Sequence, residues 1–331
     1  MSNPAKITSL PAFMALHATQ EACLERISQR RWPQGFVCPR CRHAGGYPLP
    51  GHRGFECGGC GKQTSITSGT AFAFIKLPLP KVFLAMYLVA ANKQGISSQS
   101  LAKHLGCSYP TAWHLLHKLR HAMQERDACY QLAGLVEVDE AYIGGIATGT
   151  RKRGRSLKNK TPVVAMVEKR GENLTGYVSL HPVRRVAATN IINTLLAKVK
   201  PGSSVRTDAF RSYNAVPRHG FNHLPEISPG GKRASIQFKL VHRQISNCKN
   251  WLLGTHRHSC RRHLDLYTAE YAWRTNRRNR YLDGKADGQE QTITDRLLTA
   301  TTNGQHWTWT SIRNHRWTRK KRVAAKFPGA R

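Results

Sequence analysis

Two pairs of cysteines constrain the fold of this chain more than any other feature of its sequence. Cys38 and Cys41 form one Cys-x-x-Cys pair, and Cys57 and Cys60 form a second pair 15 residues later. This spacing is typical of a zinc ribbon, in which two tight turns present four thiolates to one tetrahedral ion. A redox dithiol needs only one such pair. The sequence therefore predicts a structural Zn²⁺ site.

The chain is also strongly basic. It carries 52 Lys and Arg against 18 Asp and Glu, a formal net charge of +34 over 331 residues. An anionic partner must neutralise this excess, and nucleic acid is the first candidate. Positive residues are concentrated in 144–160 and in the tail that begins at 283. Within the first of these segments we expect phosphate contacts from Arg151, Lys152 and Arg153.

The distribution of apolar residues argues against a membrane protein. The longest apolar run, 82–91, is far shorter than the roughly 20 residues that span a bilayer. No secretory signal stands at the N-terminus. The sequence therefore predicts a cytoplasmic, nucleoid-associated protein with no membrane partner.

Residues 98–116 have the pattern of a helix-turn-helix. A short helix ends at Gly106, Ser108 can cap a second helix, and Pro110 lies in its first turn. The apolar positions would pack inward, and the side chains left on or near the exposed face, where a recognition helix meets the major groove, are Tyr109, Thr111, His114 and Lys118. A plain helical hairpin has the same pattern, so this DNA-binding interpretation depends on the charge and on the neighbouring cysteine pairs.

From residue 134 onward the pattern becomes that of a mixed α/β core. It predicts strands at 134–143, 162–167, 175–180 and 204–207 and helices at 189–199, 238–255 and 262–276. Acidic residues are scarce, yet Asp139 lies within the first of these strands and Asp208 directly follows the fourth. A carboxylate in a strand built to be buried needs a partner, and a divalent cation is the first candidate. If the two strands are neighbours, both carboxylates can share one site.

The third ligand of such a site has several candidates. No Asp or Glu occurs in 227–264, so the helix after Asp208 cannot supply a carboxylate. It offers His242 and Lys249 on one face, while Asn247 lies about 140° around the helix from His242 and is the weaker candidate. Two acidic residues near Asp139 remain open as substitutes: Glu137, which points the same way, and Glu140, which points the opposite way.

The order and spacing of several short motifs resemble one family. From Trp32 to Arg278 the sequence resembles the bacterial insertion-sequence transposases of the DDE superfamily, in the group with an N-terminal zinc ribbon. The motifs that carry the resemblance are Cys38-Pro-Arg-Cys41, Thr67-Ser-Gly-Thr70, Val138-Asp-Glu-Ala-Tyr-Ile-Gly-Gly145, Thr207-Asp-Ala-Phe-Arg-Ser-Tyr213, Gly254-Thr-His256 and Trp273-Arg-Thr-Asn-Arg-Arg278.

The resemblance implies an RNase H-like core that cuts transposon ends and joins them to target DNA. In this family Mg²⁺ or Mn²⁺ is held by two Asp and a third residue, usually Glu but also His or Asn. Asp139 and Asp208 match the first two positions, His242 matches the third, and Lys249 matches a basic residue that contacts DNA. The implied partners are double-stranded terminal inverted repeats and target DNA, bound by a homodimer or larger oligomer.

These inferences divide the chain into five segments. They are an N-terminal helical segment (1–33), a zinc ribbon (34–72), a helix-turn-helix region (78–127), an RNase H-like catalytic core (132–282) and a basic C-terminal tail (283–331). The expected function is that of a transposase. The alternative is a catalytically inactive DNA-binding regulator derived from a transposase, and a structure-specific or RNA-directed nuclease would share the same core.

Overall fold

The computed structural model describes residues 9–144, 160–226, 238–257, 261–278 and 292–315. The chain divides into two compact units. The first unit combines Met1–Arg126 with Asp287–Asn314, and the second combines Asp127–Ala286 with His315–Arg331. Within the described ranges, no helix is both long enough and apolar enough to cross a membrane.

The first unit begins with two helices and a small sheet. Ser9 and Thr19 cap the helices with their hydroxyl oxygens, which accept hydrogen bonds from the first-turn amides of Ala12 and Ala22. The elements are α1 (Leu10–Leu16), α2 (Gln20–Arg31) and an antiparallel sheet in the order β1 (Gly46–Pro48), β2 (Gly54–Cys57), β3 (Gln63–Ser65). Trp32, Phe36 and Phe55 pack beside the buried Cys38 and Cys57 and form a small core with them.

Three further helices follow, α3 (Leu79–Ala91), α4 (Ser98–Leu105) and α5 (Tyr109–Ala128). Ser97 caps α4 through a hydrogen bond that its Oγ accepts from the Ser100 amide. The helix ends at Gly106, whose φ of 58° is left-handed and therefore favours glycine. This turn joins α4 to α5 within three residues.

Helices from the far end of the chain complete the first unit. They are α9 (Ile293–Asn303), which packs against α2 and α3, and α10 (Trp309–Arg313). Asp295 on α9 accepts hydrogen bonds from Arg26 at 2.9 Å and Arg30 at 3.1 Å. Residues 292–313, which fall within the segment expected to be a basic tail (283–331), thus contain two helices of the first unit. The positive charge of the tail favoured the interpretation as a solvated segment over the helical pattern of its apolar residues. Three of these residues, Leu297, Leu298 and Ile312, are buried.

The second unit is a mixed five-stranded sheet with helices on both faces. Its strands are β4 (Leu135–Gly144), β5 (Lys160–Lys169), β6 (Thr175–Pro182), β7 (Ser204–Asp208) and β8 (Asn222–Glu226), in the order β6-β5-β4-β7-β8. The pairs β6-β5 and β5-β4 are antiparallel, whereas β4-β7 and β7-β8 are parallel. The expected α/β core is confirmed. The sequence pattern did not predict β8, a short edge strand with a proline at position 225.

One helix covers the first face of the sheet and two cover the other. They are α6 (Ala188–Lys198) on one side and α7 (Lys239–Trp251) and α8 (Leu264–Arg278) on the opposite side. Helix α7 continues into a π-helical turn, Leu252–His256. Because side chains alternate along a strand, Val136 and Val138 of β4 face α6, while Ala141 and Ile143 face α7 and α8. The odd-numbered acidic residues of β4 therefore face α7.

A side-chain clamp closes the outer edge of this sheet. The Asn276 amide accepts a hydrogen bond from the Val178 backbone N–H at 2.8 Å and donates one to the Val178 carbonyl at 3.0 Å. Strand β6 is an edge strand, and such strands present unpaired backbone groups. Helix α8 thus pairs with the edge strand at this residue.

Candidate functional site

The first candidate site is formed by the four cysteines of the two Cys-x-x-Cys pairs, here called the knuckle cysteines: Cys38, Cys41, Cys57 and Cys60. The Sγ atoms lie 3.7 Å apart between Cys38 and Cys60 and 3.5 Å apart between Cys41 and Cys57. Sulfur atoms bound at about 2.3 Å to one tetrahedral ion would be about 3.8 Å apart. Backbone N–H groups, that of Cys41 foremost, lower the pKa of the Cys38 thiol to about 6 and so favour the thiolate that binds metal. The structural zinc site predicted from the spacing is supported by this geometry.

Asp139 and Asp208 form the base of a second candidate site. Strands β4 and β7 run parallel, and Glu137 pairs with Arg206. The hydrogen-bonded pairing ends at these residues, and the same register extended by two residues would bring Asp139 level with Asp208. Adjacent strands lie about 4.8 Å apart, and residues at the same level of parallel strands point to the same face. Both carboxylates therefore face α7.

Helix α7 brings His242 to this face. The Nε2 atom of His242 lies 3.1 Å from Oδ2 of Asp139. This hydrogen bond raises the pKa of His242, against the effect of burial. Among the described residues, only the four cysteines gather three or more ligand atoms within 4.8 Å of one another. Asp139 and His242 are thus in contact, but the ligand atoms of Asp139, Asp208 and His242 do not all lie within 4.8 Å of one another.

Negative charge is concentrated around these residues. Burial raises the pKa of the Asp208 carboxyl, and the neighbouring Asp139 raises it further. On the opposite face of β4, burial raises the pKa of Glu140 to about 7, although the adjacent Tyr213 hydroxyl opposes this shift. Crowded carboxylates of this kind are stabilised by a cation, and oxygen ligands with one imidazole nitrogen suit Mg²⁺ or Mn²⁺.

Glu137 has a different environment. Its side chain is buried, and its Oε2 accepts hydrogen bonds from the backbone N–H groups of Leu240 at 3.1 Å and Val241 at 3.0 Å. Glu137 is therefore hydrogen-bonded to the first turn of α7. Sequence reasoning gave the direction of this side chain but missed its partner, because backbone amides carry no signature in the sequence.

The predicted DNA-contacting side chains of α5 lie in different environments. Tyr109 is 55% exposed, and Thr111, the third residue of the helix, is half-buried with its hydroxyl 2.9 Å from Ser108 Oγ. His114 is half-buried under Trp309, with ring centroids 5.3 Å apart, and burial lowers its pKa to about 4. Of these three side chains, only that of Tyr109 is exposed.

Two further predictions for positive residues differ in outcome. Lys118 is only 1% exposed, and its Nζ donates hydrogen bonds to the carbonyls of Ala71 and Ala73. The prediction that Lys118 lies on or near an exposed face is wrong, because the chain after the zinc ribbon covers it. Lys249 is exposed on α7, two turns after His242. The segment with Arg151, Lys152 and Arg153 lies outside the described residues.

Two family models match this chain. Residues 131–276 match an ISXO2-like transposase domain of the DDE type, and residues 18–63 match a transposase zinc-ribbon domain. The first match includes Asp139, Asp208 and His242, and the second includes the four knuckle cysteines.

A curated relative points in the same direction. A Halobacterium salinarum protein described as an uncharacterized protein in transposable element ISH50 is 27% identical over 206 residues, which cover 57% of this chain and 67% of that protein.

Similar solved structures are more distant. They include a Mos1 transposase paired-end complex with the left transposon end (13% identity, 68% of this chain and 80% of that chain, TM-score 0.28). They also include the Mos1 mariner paired end complex with Mn (14% identity, 66% and 78%, TM-score 0.28). At these TM-scores the likeness carries no argument about this chain.

Proposed function

We propose that this chain, which belongs to the IS1595-type DDE transposases with a zinc ribbon, catalyses metal-dependent cleavage of DNA ends and their strand transfer for an insertion sequence. One observation carries the proposal. Asp139 and Asp208 lie on adjacent parallel strands, Asp139 raises the pKa of the Asp208 carboxyl, and α7 brings Nε2 of His242 within 3.1 Å of Oδ2 of Asp139.

In this mechanism the chain contributes a rigid set of ligands. Asp139 presents a carboxylate from the middle of β4, Asp208 presents one from the carboxyl end of β7, and His242 presents an imidazole from the facing helix. Divalent cations bound by these residues would supply activation of the attacking oxygen and stabilisation of the leaving oxygen in an in-line displacement. His242 must be neutral to serve as a ligand. Its contact with Asp139 raises its pKa and favours the protonated form, which opposes a ligand role.

The basic and exposed residues would hold the DNA. Lys249 extends from the same face of α7 as His242 and would contact a phosphate close to the reacting bond. If α4 and α5 act as a helix-turn-helix, Tyr109 and Thr111 in the first turn of α5 would contact bases. We assign no DNA contact to Lys118, and Trp309 limits access to His114.

The remaining partners follow from the reaction. Arg151, Lys152 and Arg153 would contact phosphates of the terminal inverted repeat or the target. Because two transposon ends must be brought together for strand transfer, the acting form would be a homodimer or a larger oligomer on DNA.

Cleavage of labelled duplexes by the purified zinc-loaded protein tests this function. We expect cutting at terminal inverted repeats in Mn²⁺ or Mg²⁺, and little cutting of random duplex. D139N, D208N and H242A should abolish cleavage while DNA binding in a gel-shift assay persists. The matched control is E172Q, because Glu172 is an exposed acidic residue in the loop between β5 and β6.

Two results would contradict the proposal. A parent protein that binds inverted repeats but cuts neither end in either metal would be a regulator. A parent protein that cuts random duplex as well as it cuts inverted repeats would be a nuclease without end specificity.

A further inference from the structure

A buried carboxylate connects the strand of Asp139 to the helix of His242. Glu137 on β4 is 2% exposed, so its carboxylate is removed from water. A buried charge is costly unless it is hydrogen-bonded. Its partners are the backbone N–H groups of Leu240 and Val241, both bonded to Oε2.

These two amides belong to the start of α7 and need an acceptor from elsewhere. The first four N–H groups of a helix have no partner within the helix. Phe238 occupies the N-cap position of α7 and makes no side-chain capping bond. A carboxylate 103 residues earlier in the chain takes the place of a capping residue. The negative charge also suits the positive end of the helix dipole.

The same strand and the same helix meet again next to this contact. Asp139 lies two residues after Glu137 on the same face of β4, and His242 directly follows Val241 on α7. The Asp139–His242 contact of 3.1 Å is therefore the second of two attachments between the strand and the helix. One residue of slippage along a helix is a shift of about 1.5 Å and a rotation of about 100°. Slippage of that size would separate His242 from Asp139.

We propose that Glu137 is a positioning residue that holds α7 in register with β4 and so presents His242 to the divalent-cation site. The inference rests on the proposed function for the role of His242. The two hydrogen bonds that Glu137 makes with the described part of α7 both end on Oε2, so this oxygen is directed to the helix. Position 137 requires a side chain long enough to bond to the amides of α7, and a negative charge alone is not sufficient.

Three substitutions separate reach from charge. E137Q keeps an acceptor oxygen at the same reach and loses the charge, E137D keeps the charge and is one methylene shorter, and E137L removes both acceptors. The matched control is E168Q, because Glu168 is a buried acid on neighbouring β5 that bonds to Arg170. All variants are made in the full-length, zinc-loaded protein.

The first measurement is Mn²⁺ binding by calorimetry, with D139N defining the signal of the Asp139 site. Loss of a group that orients a ligand lowers metal affinity by about 10- to 100-fold. We expect this loss for E137D and E137L, a smaller loss for E137Q and none for E168Q. In the H242A background, E137D should have little further effect, because residues that act through one another are not additive.

The second measurement is deuterium uptake by the first turn of α7 without added Mn²⁺. E137L and E137D should increase uptake there, and E168Q should not. Unchanged Mn²⁺ affinity in folded E137D overturns the inference, as does a larger loss in E137Q than in E137D. If E137L does not fold, the comparison of E137Q with E137D decides the matter.

The same experiments keep the inference separate from the proposed function. If the parent and D139N bind Mn²⁺ identically, the proposed cation site is wrong. Deuterium uptake then still decides whether Glu137 holds α7 on β4, and unchanged uptake in E137L overturns that contact.

Discussion

At the scale of single residues, Lys118 makes the stability of the first unit depend on pH. Burial lowers the pKa of its ammonium from 10.5 to about 8. Between these two values the unfolded chain binds more protons than the folded chain, so stability rises with pH across that window. Below about pH 8 the buried charge is retained, because its Nζ donates to two carbonyls.

The variant K118M should lose this dependence, because methionine fills a similar volume without a titrating group. We expect the free energy of unfolding of the parent, relative to that of K118M, to increase between about pH 8 and 10. Urea titrations at both pH values measure it. K103M, which changes an exposed lysine of α4, is the control and should follow the parent. Parallel behaviour of the parent and K118M would contradict the prediction.

The burial of Lys118 also shows which side-chain environments a sequence pattern can predict and which it cannot. The alternation of β4 predicted which way Glu137, Asp139 and Glu140 point, because the period of two is a local property of a strand. Lys118 meets carbonyls 45 and 47 residues earlier in the chain. A backbone carbonyl can belong to any residue type, so the sequence does not show that Lys118 has buried acceptors. The position of Lys118 on α5 therefore resembled that of an exposed residue.

At the scale of elements, the Asn276 clamp stabilises the edge of the five-stranded sheet. Asn276 both accepts from and donates to the backbone of Val178. N276D keeps the acceptor and loses the donor, which leaves a buried carbonyl without its partner, at a cost of about 1–3 kcal/mol. Urea unfolding measures the change. N222A, on an exposed residue of β8, should cost less than about 0.5 kcal/mol. Equal losses in both variants would remove the special role of the clamp.

The segment before α10 is held on α5 by a buried aromatic ring. Trp307 stacks on His121 with ring centroids 3.7 Å apart, and its Nε1 donates to Glu125 at 3.1 Å. W307A should therefore destabilise the first unit by about 3–5 kcal/mol, the usual range for a buried aromatic residue. Denaturant unfolding and limited proteolysis near residue 305 measure this. W309A should cost less, because Trp309 is partly exposed. Comparable losses in both variants would contradict the prediction.

The elements that the sequence predicted are those with a local signal. The cysteine spacing predicted the ribbon, and hydrophobic periodicity predicted β4 to β7 and the helices of the second unit to within a few residues. Strand β8 and helix α9 were missed for different reasons. β8 is short and contains a proline, and α9 lies in a segment whose overall charge outweighed its apolar pattern.

At the scale of the whole molecule, zinc should stabilise one unit and not the other. All four knuckle cysteines belong to the first unit. C57S should lose the zinc and the fold of the ribbon, since structural Zn²⁺ contributes about 10–16 kcal/mol to such domains. Metal analysis and thermal unfolding measure this, with C107S as the control. Loss of the second unit's own transition in C57S would contradict it.

The net charge of +34 predicts a strong salt dependence of DNA affinity. Binding releases counterions, so the logarithm of the affinity falls linearly with the logarithm of the salt concentration. K249Q should reduce the magnitude of that slope by about 1, as expected for the loss of one phosphate contact. Fluorescence anisotropy from 50 to 200 mM salt measures it. K62Q, which changes an exposed lysine of the ribbon, is a comparison variant. An unchanged slope in K249Q would remove Lys249 from the DNA interface.

The division of the first unit between the two ends of the chain has a consequence during translation. The ribosome synthesises α2 and α3 long before α9. In the folded unit α9 packs against both helices, and its residues Leu297 and Leu298 are buried. A gene fragment that stops at residue 126 would leave those helices with an apolar surface open to water. Such a fragment should aggregate or recruit chaperones, and adding residues 287–314 as a separate peptide should rescue its solubility.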